Sequence, residues 1–568
     1  MFVVKKKIGN NEYYYLRESR REKGKVVAKT LAYLGKTKKD AEIRMKEFVL
    51  AGRKDKENEK SESGASKEIK KQENKFNKMV AKTDRTEIGI DELASYCKRK
   101  GFVYPSGEIY GGLGGFWDYG HLGVELVKNI KNSWWNFHVR NREDIEGIDG
   151  AIITNPKVWE SSGHVASFVD YVIYDKKKKE RFKVDAHEVD NYRDDRYEIE
   201  GKFNPMFETK VGPSGKEEAY LRPETAQSIF VNFKNVYENA RMKLPFGIAQ
   251  IGKAFRNEIA PREFLFRTRE FEQMEIEYFI RKGMKCPYMD ELPDLEICIY
   301  TEEMQKSGKE GEKMKILDAW KKGLMGEWHA YWLAQEFSWF ILNGANVKNF
   351  RARQHVSEEK SHYAIDTWDL EYNFPMGWRE VQGFANRGSY DLKQHQEKSG
   401  KSLEIFDEET KERILAEVVC EPSLGVGRAF IVFLLDAYEF DKERENVVLH
   451  LSPKLVPYKA AVLPVVSKGD VEEAAYELYK ELKEELNVFY DKSGSIGRRY
   501  ARQDEVGTPY CVAVDGQTIQ DKTVTIRDRD STRQIRIHIK DLISVLKDLV
   551  NEKILFENAG ELVETRVK

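Results

Sequence analysis

The sequence predicts an α+β protein of several domains, and three observations carry that prediction. Apolar and aromatic content rises near Ile88 and stays high to about Phe440. Within that span, strand-like segments such as GIAQIGKAFRNEI and FEQMEIEYFI alternate with helical stretches. After about Glu445 the texture changes, and strands alternate with helices over a shorter length, which indicates a compact mixed α/β module of about 120 residues. The chain has 568 residues, and at about 100–200 residues per domain it holds roughly three or four units.

Residues 1–50 form a small basic unit. VVKKKIGNNEYYYLRESRREKGKVVAKTLAYLG reads as short strands separated by Gly-Asn and Lys-Gly turn signals, with a helix from about Lys38 to Leu50. Lys and Arg interleave with Tyr13, Tyr14, Tyr15 and Tyr33. Two readings stand: RNA binding by phosphate contact and stacking, or a solvated miniature sheet around a tyrosine core. The stretch also resembles the short leader of some transposase-like proteins, which assigns it no activity. Residues 51–85 mix both charge signs with Ser and Gly and carry few large apolar side chains. Such a segment buries too little surface to offset its ordering entropy, so it reads as a flexible charged linker.

Residues 86–444 form the main domain. Charged stretches at 174–202 and 302–327 read as surface insertions, with Lys176 to Lys179 a solvated hairpin tip. WHAYWLAQEFSWFIL (328–342) reads as a buried helix whose aromatics belong to the core. In residues 445–568, NVVLHLSPKLVPYKAAVLPVV alternates like strands with Pro breaks. GDVEEAAYELYKELKEELN and KDLISVLKDLV have helical spacing.

Composition excludes several classes. Lys+Arg is 95 and Asp+Glu 96, a net charge of −1, so any nucleic-acid surface is a local patch and not a global field. The 5 Cys form no CxxC pair, which argues against a zinc ribbon or a disulfide framework. Reduced thiols in a cytoplasmic protein are the simplest reading. The start, MFVVKKKIGNNEYYY, lacks the apolar segment of a secretory signal, and no apolar run is long enough to span a membrane. The 10 His are scattered; His355, His362 and His395 have no metal-ligand spacing and read as core or hydrogen-bonding groups, so no zinc is expected.

The segment 247–279, GIAQIGKAFRNEIAPREFLFRTREFEQMEIEYF, has two strand-like arms around an Arg-rich loop. Arg256 and Glu258, two apart, share one face if the strand runs through them. Arg267, Arg269 and Phe271 follow on the return arm. Guanidinium forks bind phosphate bidentately and an adjacent ring stacks on a base, so the combination suits a nucleotide; alone, it is also what a surface hairpin held by ion pairs would show. In CEPSLGVGRAF (420–430), Gly425 and Gly427 permit close backbone approach, and Arg428 projects from a first helical turn, where anions are favoured.

Arg256-Asn257-Glu258 resembles motif 2 of class II aminoacyl-tRNA synthetases, and Gly425-Val426-Gly427-Arg428 resembles motif 3. EIYGGLGGFWDYGHLGVELVKNIKNSWW (108–135) is similar to the opening signature of glycyl-tRNA synthetases, and NPKVWESSGHVASFVDYVI (155–173) to their dimer-forming motif 1. YLRPETAQSIFVNF (220–233), FRARQH (350–355) and GWREVQGFANRGSYDL (377–392) are similar to further stretches of that family. The match covers residues 88–568 and looks like the dimeric, single-polypeptide form of archaeal and eukaryotic type. His121 departs from it, standing where the family usually has Pro, at what reads as a loop position.

The resemblance implies a class II antiparallel sheet flanked by helices, and a C-terminal anticodon-binding domain. It implies an ATP-dependent glycine–tRNA ligase that makes glycyl-adenylate and passes glycine to tRNA, with diadenosine tetraphosphate synthesis as a side activity. It assigns Arg256 to the α-phosphate, Arg428 to the γ-phosphate, and Phe271 to a stack on adenine. Asn257, Glu258, Arg267, Thr268, Val381, Gly425 and Gly427 then line the ATP site, and Glu380 holds Mg²⁺. Glu224, Glu275, Glu421 and Ser423 are the implied glycine contacts, since ammonium and carboxylate are all that glycine offers. In the C-terminal module, Arg498, Arg499 and Arg502 lie in an expected strand-turn region that either faces RNA or forms a solvated rim. The alternative is a non-catalytic paralogue that keeps the fold to bind nucleic acid; the retained arginines and carboxylates weigh against it. A synthetase for Thr, Pro, Ser or His is disfavoured by the 108–120 segment and the EPS triplet.

Overall fold

The structure is a computed structural model that describes residues 2–8, 11–22, 25–35, 88–167, 170–184, 189–360 and 364–563. The chain divides into two compact units, Met1–Lys71 and Gln72–Lys568. In the first, strands Phe2–Ile8, Asn11–Glu22 and Lys25–Gly35 form an antiparallel sheet in chain order. Its register places Lys5 opposite Tyr14 and Tyr15 opposite Tyr33. The helix expected over 38–50 and the linker expected over 51–85 lie outside the described residues.

The second unit is organised around a nine-stranded sheet. From one edge to the other its strands are Glu312–Lys315, Glu296–Tyr300, Phe350–Gln354, Asp366–Phe374, Gly377–Asn386, Glu417–Gly425, Glu270–Ile280, Phe246–Phe255 and Ile145–Ile148. The central pairings are antiparallel; 296–300 with 350–354, and 246–255 with 145–148, are parallel. Three helices, His121–Trp135, Glu327–Leu342 and Val426–Ala437, pack with the sheet and each other. Glu327–Leu342 is apolar nearly all round and accordingly buried nearly all round, with Trp332, Phe337 and Trp339 at 0% exposure. The helix Ala226–Asn239 sends Ile229, Phe230 and Phe233 into a cluster with Phe246, Ile248 and Phe279.

Two expectations change here. The stretch 302–327 is not only a surface insertion: it supplies the edge strand Glu312–Lys315, anchored by buried Met314 and Ile316. High charge density hid these two apolar anchors. His121 is the first residue of a helix and not a loop residue. Proline also suits that position, because its missing N–H would have no helical partner there. The 174–202 stretch does form its own three-stranded sheet, from Asp170–Asp175, Glu180–Val184 and Tyr197–Phe203, with Lys176 to Lys179 exposed in the first turn.

Toward the C-terminus a six-stranded mixed sheet runs in the order Val488–Tyr490, Ala460–Pro464, Tyr510–Val514, Thr523–Asp528, Gln534–His538, Glu561–Leu562. Helices Asp470–Glu485 and Ile539–Val550 bury Leu478, Leu482, Leu542 and Leu546 in its core. The arginines at 498, 499 and 502 are on a helix, Ile496–Val506, and not in a strand-turn region. Arg499 points inward and donates to Gly494 O at 2.6 Å and Ser467 Oγ at 2.8 Å, with a further short bond to Pro464 O. Arg502 is paired to Asp491 at 2.6 Å. Helical geometry thus separates three arginines that look like one patch in sequence, and leaves Arg498 exposed.

Candidate functional site

A cleft of about 200 Å³ opens on the sheet at the strands 270–280, 377–386 and 417–425. Arg256, Glu258, Arg267, Thr268, Phe271, Glu380, Ser423, Gly425, Gly427 and Arg428 line it, so residues far apart in sequence meet there as expected. Asn257 and Val381 do not line it, and neither do Glu224, Glu275 and Glu421. The Asn257 N–H is bonded to Pro205 O at 2.7 Å, and the Val381 side chain is fully buried, which leaves only its main chain for a ligand. Leu265, Phe266, Gln273 and Gly383 line the cleft and were not read from the sequence.

One end is basic. The strand Phe246–Phe255 stops just before Arg256, so Arg256 and Glu258 do not share a strand face. The chain turns there, with the Glu258 N–H bonded to Arg256 O at 2.7 Å. Arg256 Nε donates to Pro223 O at 3.0 Å, and its guanidinium carbon lies 5.5 Å from the centre of the Phe271 ring. Glu258 is tied to Arg267 at 2.7 Å, which braces the loop between the two arms. Thr268 spends its hydroxyl on Glu270 O at 2.9 Å. Arg428 sits in the first turn of Val426–Ala437, as expected. Its guanidinium lies over Phe266 at 4.7 Å and 3.2 Å from a Glu380 oxygen. A Cβ on Gly427 would come within 2.8 Å of Leu265 O, so this turn has no room for a side chain. Desolvation in the cleft works upward on the Glu380 carboxyl, but the Arg428 guanidinium and then His355 outweigh it and hold it below the ordinary value.

Behind Ser423 and Gln273 of the cleft wall the site is acidic. Glu224, Glu275 and Glu421 are all buried. Antiparallel register sets Glu275 opposite Ser423, whose hydroxyl donates to Glu275 Oε1 at 2.7 Å. Thr225 donates to the other oxygen in a short bond. Arg387, fully buried, donates to Glu421 at 3.0 Å and to Asp391 at 2.8 and 3.0 Å, and lies 3.9 Å from Glu224. Gln227 bridges Glu224 and Asp391 at 3.0 and 2.9 Å, and its own oxygen meets His395 Nε2 at 2.8 Å. Burial works upward on Glu224, but His164 at 3.4 Å and Arg387 outweigh it and hold the carboxyl far below the usual range. Burial and the neighbouring Glu224 raise Glu275. Glu421 is pushed up to about 8, by burial first and then, against the pull of Arg387, by Glu275 and Glu224.

The carboxylates of this end stand in motifs legible in the sequence; Arg387, Thr225, Gln227, Asp391 and His164 were not expected there. One signal was available: Arg387 and Asp391 stand four apart where a helix begins, a spacing that pairs opposite charges. His355 has the hydrogen-bonding role expected of it, with Nε2 2.7 Å from Asp369; His362 lies outside the described residues. All five cysteines are unpaired. Among the described residues no helix is long and apolar enough to cross a membrane.

Comparisons with known proteins align with this geometry. The profile described as tRNA synthetase class II core domain (G, H, P, S and T) matches residues 207–364. An anticodon binding domain profile matches residues 459–549, and the N-terminal domain of IS1634 family transposases matches residues 3–66. The chain is 42% identical over 502 residues to a glycine–tRNA ligase of Thermobifida fusca, covering 83% of this chain and 99% of that protein. It is 41% identical over 477 residues to one of Treponema denticola, covering 81% and 97%. Against one of Geobacillus thermodenitrificans it is 42% identical over 509 residues, covering 82% and 98%. These relatives are bacterial and lend no support to the archaeal and eukaryotic type expected from the sequence.

Proposed function

The chain belongs to the glycine–tRNA ligase family of class II synthetases, and from that premise we propose that it activates glycine with ATP and transfers it to the 3′ end of a glycine tRNA. The observation that carries this is the polarity of the site: Arg256, Arg267 and Arg428 line the cleft, and a cluster of three buried carboxylates stands behind its Ser423 and Gln273 wall. In the first step a glycine carboxylate oxygen attacks the α-phosphorus of ATP and pyrophosphate leaves. Arg256 meets the charge that builds on the α-phosphate, Arg428 holds the γ-phosphate, and Phe271 stacks on adenine. Such chemistry depends on positioning and charge neutralisation, which fixed guanidinium groups supply. In the second step a terminal ribose hydroxyl of tRNA attacks the glycyl carbonyl carbon and AMP leaves.

Glu380 fits Mg²⁺: it is a half-exposed, hard oxygen donor beside Arg428, and Mg²⁺ needs only one or two carboxylates plus substrate phosphates. Bound there, the ion would neutralise phosphate charge. Glycine's ammonium goes to Glu224, Glu275 and Glu421, with Ser423 fixing Glu275. The same groups crowd the space that a Cβ would occupy. Fit alone separates one methyl by about 1–3 kcal/mol, and a clash rejects it more strongly.

For tRNA, support comes from a cavity of about 420 Å³ beside the cleft. It is lined by Lys178, Arg196, Arg262 and Arg267 together with Tyr192 and Tyr197, and by the acids Asp175, paired to Arg196, and Glu180; the excess of basic over acidic side chains and the two rings suit single-stranded ends. We read the chain as a cytoplasmic homodimer. An apolar loop supports the dimer, with Ile109, Tyr110 and Leu113 exposed at 88%, 89% and 63%. The domain assignment that goes with this reading is 1–50, 51–85, 86–444 and 445–568.

The test is amino-acid-dependent ATP–pyrophosphate exchange with glycine, alanine, serine, threonine and proline. Exchange with glycine alone is the expected result. No exchange with any of them, from folded and Mg²⁺-supplied protein, would favour the non-catalytic paralogue.

A further inference from the structure

Glu277 is a buried acid beside the glycine contacts Glu275 and Glu421. It lies two residues after Glu275 and so on the same strand face. The register that pairs Glu275 with Ser423 and Tyr278 with Cys420 sets it across from Glu421. Its side chain is 0% exposed, and neither carboxyl oxygen has a hydrogen-bond partner among the described residues. One oxygen each of Glu275, Glu277 and Glu421 lies within 4.8 Å of the others. Like charges opposite each other on neighbouring strands repel, and more so away from water.

The charged groups around Glu277 come from each packed element. They are Glu421 on the strand 417–425, Arg387 after the strand 377–386, Glu275 on its own strand, and Asp391 on the helix Tyr390–Ser399. On its other side the strand 246–255 presents Ile248 in register. From the helix Ala226–Asn239, the nearby Phe230 ring carries the Arg387 guanidinium. The single guanidinium is already committed to Glu421 and Asp391. Glu224, which faces Glu421 and lies 3.9 Å from Arg387, brings the acids around this one guanidinium to five, and a proton is the ready neutraliser.

We propose that Glu277 and Glu421 share a proton in the empty pocket and release it when a glycine ammonium enters, which makes Glu277 a positioning residue that couples glycine binding to pH. The proposal rests on the glycine reading of this pocket. Only an O–H bond breaks, and the proton passes to solvent. Burial and Glu421 push the Glu277 carboxyl well above its ordinary value, and Glu421 is itself raised to about 8, so the two titrate as a pair. A positive ligand favours the deprotonated pair, so glycine binds more tightly as pH rises toward that range.

The experiment is calorimetry on the full chain with a sulfamoyl analogue of glycyl-adenylate, in two buffers of different ionisation enthalpy at neutral pH. It is joined to the pH profile of the glycine KM in exchange. The parent should release about one proton per site, and its glycine KM should fall with pH by up to about tenfold per unit. Glu277→Gln should release none and show a flat profile, with the ATP KM unchanged. Analogue binding by the parent without proton release would overturn this proposal and leave the functional reading standing, and so would equal release by parent and variant. No glycine-dependent exchange in the parent would overturn both. The parent's buffer dependence decides the matter even where the variant does not fold.

Discussion

The phosphate end and the glycine end of the site meet opposite problems. The phosphate end faces a highly charged anion and does so with arginines that keep contact with water: Arg428 is 27% exposed and Arg256 half-buried. Its strength is used when ligand charge arrives. The glycine end faces a small zwitterion with nothing to grip but an ammonium and a carboxylate. It must be tight to exclude a side chain, so its acids are buried, and buried acids need a buried base in the folded protein itself. Binding energy is therefore held in reserve at one end and built into the fold at the other.

That contrast is sharpest in Arg387. Replacing it with alanine leaves Glu421 and Asp391 without their cation, and breaking a buried pair costs about 3–5 kcal/mol. Denaturant unfolding of Arg387→Ala should show a loss of that size. A loss below about 1 kcal/mol would mean that the glycine end is not balanced as described. At the phosphate end, Arg428→Ala should leave unfolding nearly unchanged but slow single-turnover adenylate formation about 10²–10³-fold, the effect of one transition-state donor. Adenylate formed at the parent rate would remove Arg428 from the site. Glu275→Gln is milder. It weakens one charge-assisted contact of about 1.5–3 kcal/mol, so the glycine KM should rise at least tenfold while the ATP KM holds.

How far the sequence foretold each end follows from where its partners come from. Arg256 and Arg428 stand in short contiguous motifs, and local geometry carries each into the cleft: a strand end in one case, a helix start in the other. The carboxylates Glu224, Glu275 and Glu421 were legible for the same reason. Arg387 was not, because beyond its four-residue spacing from Asp391 its role is fixed by the approach of two distant strands and a helix, which no local pattern encodes. Arg499 shows the converse error. Three nearby arginines suggest one surface, but the helix turns Arg499 into the core, where it holds backbone carbonyls.

Acid titration separates the buried carboxylates from one another. Glu224 is held far below its ordinary 4.5, so its contribution to stability is complete above that pH and is lost as pH falls toward the folded value. Glu421, raised to about 8, runs the other way: its contribution is complete below pH 4.5 and is lost as pH rises through about 8. In melts across pH, Glu224→Gln should flatten the acid limb and Glu421→Gln the alkaline limb. Limbs that do not respond to either variant would show that other groups set the profile.

The smallest effect should come from the far end of the chain. Met1–Lys71 is a compact unit of its own, and the bacterial relatives align over about four-fifths of this chain while covering nearly all of themselves. Every residue placed at either end of the site belongs to the second unit. If the first unit is an appendage, a chain beginning at Gln72 should activate glycine within about twofold of the parent, since substitutions away from a site usually shift energies by about 0.5 kcal/mol or less. A larger loss confined to aminoacylation would show that the appended sheet acts through tRNA. A loss in exchange as well would show that the second unit needs the first to hold the cleft in shape.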